Sequence, residues 1–284
     1  MTNKTTVIAL TLLLCCSAAM AMPPMGPPRS LLEPGQVAIG GEYGRLNTDL
    51  QAFGVVKEDQ DPSASISWVC SYEKIKIKNL KSNMIFGTVA YGLCENWDVF
   101  ARVGISDGKD DMYFVDCNGT KSNTISLDGD FGVAGGGGIR FTVCQAGDVT
   151  WGGICQMTYV KPGDTTFQIT DSTTPTLSMA GTMEMSYLQV QAAFGPTVQF
   201  GDNMWLYGGP FVSFVDGDLD MNATWSEGTA SGPVVGNTDL REESWIGAYC
   251  GAQWNPGDST TIYVEGQMTA DSWGIGIGAM LMFE

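Results

Sequence analysis

Histidine is absent from the 284 residues. That removes the most common general base and metal ligand, and makes triad hydrolysis or a histidine-dependent outer-membrane enzyme a poor reading. Cations are scarce too. Fourteen Lys and Arg against 31 Asp and Glu leave a net charge of −17, which argues against nucleic acid as a partner. No C-x-x-C pair occurs, so a zinc site is not indicated. Beyond residue 21 no apolar run approaches the ~20 residues of a membrane helix. A chain of this kind crosses a membrane only as a closed barrel, the other arrangement that pairs every backbone group in lipid.

What is present begins with Lys4, the apolar run Val7–Cys16 and Ala19-Met20-Ala21. This is the pattern of a secretory signal peptide over residues 1–21, with cleavage expected after Ala21. Cys15 and Cys16 lack the small preceding residue of a lipoprotein signal. Residues 22–35 hold a run of prolines and read as an extended periplasmic leader. Residues 36–284 read as one all-β domain. Export permits disulfides. Cys70 with Cys117, and Cys94 with Cys144, are candidates by their expected positions, whereas Cys155 and Cys250 fall on proposed lipid faces of distant strands.

The final stretch, Trp273 to Phe283, sets the fold class. Side chains alternate between the faces of a strand. Trp273, Ile275, Ile277, Ala279, Leu281 and Phe283 share one face, and Gly274, Gly276, Gly278, Met280 and Met282 the other. A strand with no charge on either side, bulky outside and nearly bare inside, suits a wall between lipid and a narrow lumen. The alternative is a core strand of a soluble sandwich. Gly274-x-Gly276-x-Gly278 is no nucleotide fingerprint, because spacing and following helix are both missing. No cofactor is implied.

Similar alternation places strands at about 36–46, 83–93, 97–106, 129–141, 149–159, 185–200, 204–215, 244–254, 260–269 and 273–283. Short connections alternate with long ones at 47–82, 107–128, 160–184 and 216–243, the outer-membrane arrangement of periplasmic turns and extracellular loops. Ten strands put both barrel ends at the short-turn end, and twelve, using 51–57 and 65–78, is the runner-up. Otherwise 65–78 is an arm prolonging the wall outside the membrane. Tyr91, Trp97, Phe141, Trp151, Phe200, Trp254 and Phe283 flank the short turns as an interface belt. Pro196 and Pro210 imply a bulge or a local break in adjacent strands.

The signal, the Gly-rich alternating strands, the hairpin Tyr91-Gly-Leu-Cys-Glu-Asn-Trp-Asp-Val-Phe-Ala-Arg-Val-Gly104 and the terminal strand ending in Phe283 resemble the small outer-membrane β-barrels of the OmpA-like and opacity-type group. Glu284 after the Phe departs from that pattern. The resemblance implies a Gram-negative-type outer membrane, its lipid as surroundings, and the barrel-assembly machinery as a partner reading the last strand. The group includes anchors, adhesins and narrow pores.

Five charges fall on inward faces: Glu42, Asp98, Arg102, Arg140 and Glu265. Asp98 and Arg140 are placed to pair near the short-turn end, and Glu42, Arg102 and Glu265 to meet at mid-height. Such a cluster plugs the barrel or gates a small cation-favouring pore. Catalysis by Glu42 and Glu265 as paired carboxylates lacks a substrate groove. The expected loops carry the acid: Asp107, Asp110, Asp111 and Asp116 in one, and Asp216, Asp218, Asp220, Asp239, Glu242 and Glu243 in or beside another. Asp216, Asp218 and Asp220 have calcium-like spacing, but Met221 stands where an EF-hand needs Gly. A solvated acidic loop open to surface partners is the default. Lys74, Lys76, Lys78 and Lys81 form a basic cluster suited to lipid phosphates or to guarding a strand edge.

Overall fold

A computed structural model of the chain describes residues 22–58, 75–114, 125–170, 177–242 and 244–284. The proposed signal segment 1–21, Cys70, Lys74, Asp116, Cys117 and Glu243 lie outside them. Twelve strands are formed: β1 (Val37–Glu58), β2 (Ile75–Cys94), β3 (Trp97–Phe114), β4 (Ile125–Ala146), β5 (Val149–Lys161), β6 (Thr165–Thr170), β7 (Leu177–Gln199), β8 (Met204–Glu227), β9 (Ala230–Glu242), β10 (Ile246–Gly257), β11 (Thr260–Thr269) and β12 (Ser272–Phe283).

Ten of them, β1-β2-β3-β4-β5-β7-β8-β10-β11-β12, form an antiparallel ring. The ladder between β12 and β1, from Val37 opposite Phe283 to Thr48 opposite Ser272, closes it. The wall therefore has no unpaired edge at membrane depth, as hydrocarbon requires. β6 and β9 do not enter the ring. They lie in the segments 160–184 and 216–243, expected as loops from the sequence, whose described residues are largely strand. β9 pairs with the extensions of both β1 and β8, above the point where β10 and β12 end. β6 pairs with β7 where β5 has ended, and the Gly163 amide turns the chain by donating to Asp130 O. Residues 51–57 continue β1, and 75–78 open β2. The described part of 65–78 thus prolongs the wall, and the ring remains ten-stranded.

The rows of large apolar side chains face outward. Ile39, Ile85, Val89, Val103, Ile275, Ile277 and Leu281 are exposed, while Glu42, Phe86, Arg102 and Tyr263 are buried inside. This overturns the soluble-sandwich alternative, because among the described residues no second sheet covers those rows. The belt residues Tyr91, Trp97, Trp151, Phe200, Trp254 and Phe283 are all exposed. Phe141 is half-buried and stacks on Trp97 at 5.1 Å. Tyr159, Phe214 and Trp245 are exposed toward the other end of the wall. On β5, Trp151 and Tyr159 stand eight residues apart, about 26 Å along a strand and about 20 Å across the membrane at a ~40° tilt, close to the ~25 Å apolar band of such barrels.

Pro196 and Pro210 produce a break without a bulge. The β7–β8 ladder stops after Ala193 opposite Phe211 and resumes at Thr197 opposite Tyr207 in unchanged register. Glycines make the gap habitable: a Cβ on Gly195 would stand 2.0 Å from Gly208 O. Cys94 and Cys144 are free thiols. They sit on β2 and β4 with β3 between, about 10 Å apart by strand spacing and beyond disulfide reach. Cys155 and Cys250 are exposed on the outer face.

Ile277→Lys tests which medium meets this exterior. At mid-wall in lipid the substitution loses roughly 2–4 kcal/mol, measured as a lowered urea midpoint in vesicle-embedded protein. In water an exposed Ile replaced by Lys would leave stability unchanged.

Candidate functional site

The interior of the ring is filled by the segment that precedes it. The sequence reading made residues 22–35 an extended periplasmic linker, but the chain reverses at Gly35 (φ 83°) and runs back up the lumen to Met22. The reversal is pinned where the Gly35 amide donates to Gly92 O and the Gly92 amide to Gln36 O. Met22, Met25 and Leu32 are buried at 4% exposure or less.

Four prolines explain how an extended chain survives here. Pro23, Pro24, Pro27 and Pro28 have no N–H, so they bring carbonyl acceptors into the lumen without donors that a saturated wall could not meet. Several of the remaining groups have partners on the wall. Glu265 receives the amides of Met25 (2.7 Å) and Gly26 (2.8 Å) on its two oxygens. The Leu31 amide donates to Asp98 Oδ2 at 2.6 Å and the Ser30 amide to Thr142 Oγ1 at 3.2 Å. Pro23 O accepts from Gln156 Nε2 and Gln267 Nε2, and Pro24 O from Arg102 Nη1 at 2.9 Å. The bare face of β12 makes room. A Cβ on Gly276 would stand 2.8 Å from Pro24, one on Gly44 2.9 Å from it, and one on Gly278 2.4 Å from the Tyr263 ring.

All five inward charges named from the sequence are buried. Asp98 and Arg140 meet at 2.7 Å through Nε. Arg102 reaches Glu42 at 3.4 Å, donates to Thr158 Oγ1 at 2.5 Å, and lies over the Phe86 ring at 4.9 Å. Glu42 also accepts from Tyr263 Oη at 2.9 Å. Glu265 does not join that pair. Besides the leader amides it accepts from Tyr207 Oη (3.0 Å) and Gln267 Nε2 (2.7 Å). Among these five, three carboxylates against two guanidiniums leave one negative charge. Arg29 of the leader supplies the third cation, donating to Gln253 Oε1 at 3.1 Å with its guanidinium 5.4 Å over Trp205. The role of Arg29, and of the leader, was missed by sequence reasoning. The available signal was composition: Met22, Met25, Leu31 and Leu32 beside the prolines are too apolar for a solvated linker.

Toward the arms the interior turns apolar, with Leu50, Phe167, Met183, Leu219, Met221 and Leu240 buried. Asp216, Asp218 and Asp220 lie on β8 and not in a loop, and Asp239 and Glu242 lie on β9. Same-face neighbours on a strand are ~7 Å apart, so the three β8 carboxylates are spread along the wall and do not converge on a cation. Asp220 accepts from Asn237 Nδ2 at 2.6 Å. Asp107 is buried under β2, accepting from the Asn83 amide at 2.5 Å.

Removing Asp98 leaves Arg140 and the nearby Arg29 without their shared anion. Asp98→Asn is expected to cost roughly 3–5 kcal/mol by urea titration in vesicles, and the double variant Asp98→Asn/Arg140→Gln to recover part of the loss.

No protein-family model and no curated protein matches the chain. Among solved structures it is similar to the outer membrane protease OmpT from Escherichia coli, at 9% identity and a TM-score of 0.49, over 92% of this chain and 99% of that one. It is also similar to the translocator domain of the autotransporter NalP from Neisseria meningitidis (13% identity, TM-score 0.42, 90% of each chain). A third is the outer membrane protein OprG from Pseudomonas aeruginosa (13% identity, TM-score 0.39, 89% of this chain and 97% of that one). The fold assignment rests on the chain's own closed ring, apolar exterior and charge-paired interior: this is an outer-membrane β-barrel.

Proposed function

We propose that this chain is a non-enzymatic integral protein of a Gram-negative-type outer membrane that acts through its outer wall and does not pass a solute through its lumen. The observation that carries the reading is the leader seated among the inward charges. Each of Glu42, Asp98, Arg102, Arg140 and Glu265 is engaged by the leader or by a wall partner. Glu42 and Glu265 do not read as a catalytic pair, because their oxygens are taken up by Arg102 and Tyr263 and by four donors respectively.

The elements left for partners are outside. Asp216, Asp218 and Asp239 are exposed on β8 and β9 and offer a negative face to cationic surface partners. Membrane lipid meets the apolar band, and the terminal strand ending at Phe283 is the segment for the barrel-assembly machinery to read. The narrow cation-favouring pore is the second reading, and a movable leader is what it would need.

Purified protein in planar bilayers is expected to give no unitary conductance steps, and a variant lacking residues 23–32 to give steps with a cation preference, since Glu42, Asp98, Arg102, Arg140 and Glu265 sum to −1. Steps of equal size in both proteins would make the chain a pore.

A further inference from the structure

At the tip of the leader is a small cavity of about 10 Å³, enough for one water-sized group. Met22 forms one side, and Tyr187, Gln189, Glu242, Leu50 and Val215 are among the others. Three of its lining groups hold buried oxygens without a hydrogen-bond partner: Glu242 Oε2, Gln189 Oε1 and Tyr187 Oη. Tyr187 and Gln189 are 4% and 3% exposed. Buried polar atoms are rarely left unmet, and three around one small space point to a missing group with several donors.

The chain runs outward from Gly35 to Met22, so the Met22 nitrogen is the outermost backbone atom of the described leader. Within an uncleaved chain that nitrogen is an amide with at most one donor. Hydrolysis of the Ala21–Met22 bond by an export peptidase adds water across it, leaving a carboxylate on Ala21 and a primary amine on Met22. That amine, once protonated, carries a positive charge and three N–H donors.

We propose that the cavity is a binding site for the protein's own mature N-terminus: the α-ammonium of Met22 bridges Glu242 Oε2, Gln189 Oε1 and Tyr187 Oη and locks the leader in the lumen. The proposal rests on cleavage after Ala21 and on the seated leader of the reading above. It is supported by charge. Glu242 lies on β9, beyond the membrane band, where burial pushes its carboxyl up to about 7 even though the Ser213 and Ser272 hydroxyls donate to it, and Asp271 adds to the rise. Among the described residues no Lys or Arg lines the cavity to offset this. The α-ammonium is the cation the site lacks.

The test is N-terminal amine reactivity in folded, detergent-extracted protein of full mature length. Intact mass and N-terminal sequencing first establish the terminus. The expected result is Met22, with reductive methylation of its α-amine at least tenfold slower than in the SDS-unfolded protein. Glu242→Gln is expected to restore most of that reactivity, and the α-amine of the wild type to titrate at least one pH unit above that of Glu242→Gln. Heat-modifiable gel mobility confirms that the variant is folded; should it not fold, the protection measured on the wild type decides. A terminus other than Met22 overturns the cleavage reading and the proposal together. A Met22 amine that reacts at the unfolded rate, or identically in both folded proteins, overturns the proposal alone and leaves the cavity to a water. Conductance is read independently, so a protected amine in a conducting barrel would spare this site and remove only the non-conducting role.

Discussion

Ionised groups in a narrow, nearly dry lumen must each find an opposite charge or a set of donors, because the cost of taking an unpaired ion out of water is several kcal/mol. Most unusual features of this chain follow from that requirement. The five inward charges Glu42, Asp98, Arg102, Arg140 and Glu265 are together one cation short, and no rearrangement among them corrects it. Arg29 does, and it arrives on a segment whose backbone amides also complete the shells of Asp98 and Glu265. The prolines limit the donors that segment brings in. The glycines of β1 and β12 supply the space it occupies. Leader composition and wall composition are two halves of one packing solution.

The wall was legible from residue order because lipid imposes a strict period of two. Each bilayer-crossing strand was readable wherever its outer row was aliphatic and its inner row small or polar, as in 97–105, where Val99, Ala101 and Val103 alternate with Phe100, Arg102 and Gly104. Parity and the short turns then gave ten strands. The five inward charges could be named for the same reason: a charge on an otherwise alternating strand has only one face on which to sit.

The arms and the leader were not legible, and the physical causes differ. β6 and β9 lie beyond the hydrocarbon, where the outer face meets water and the apolar and polar rows are free to mix. Asp216, Asp218 and Asp220 therefore read as an acidic loop, although they are one face of β8, opposite the face that buries Leu219 and Met221. The leader has no period, because it is extended, proline-rich and held by contacts some 65 to 245 residues away in sequence. Only the fold brings those partners together. The break at Pro196 and Pro210 was foreseen as a flaw in two strands, but its accommodation needed Gly195, Gly208 and Gly209 opposite one another, which only the register reveals.

A lumen completed by the chain's own leader also constrains the order of assembly. The ring can close without the leader, because its ladders are satisfied strand to strand, but until the leader arrives Asp98 and Glu265 keep fewer partners and the wall holds an uncancelled negative charge. Water must fill the lumen in that interval, and it leaves when the prolines enter. Burial of Met22, Met25 and Leu32 and the contacts of Arg29 with Gln253 and Trp205 are then gained together, so the leader is tied to the wall along its length and is not a tether. A barrel finished in this way has Glu42, Asp98, Arg102, Arg140 and Glu265 turned inward and engaged. Its outward chemistry is left to two regions: the aliphatic band, which lipid covers, and the exposed faces of the arms, which carry the acidic residues of β8 and β9.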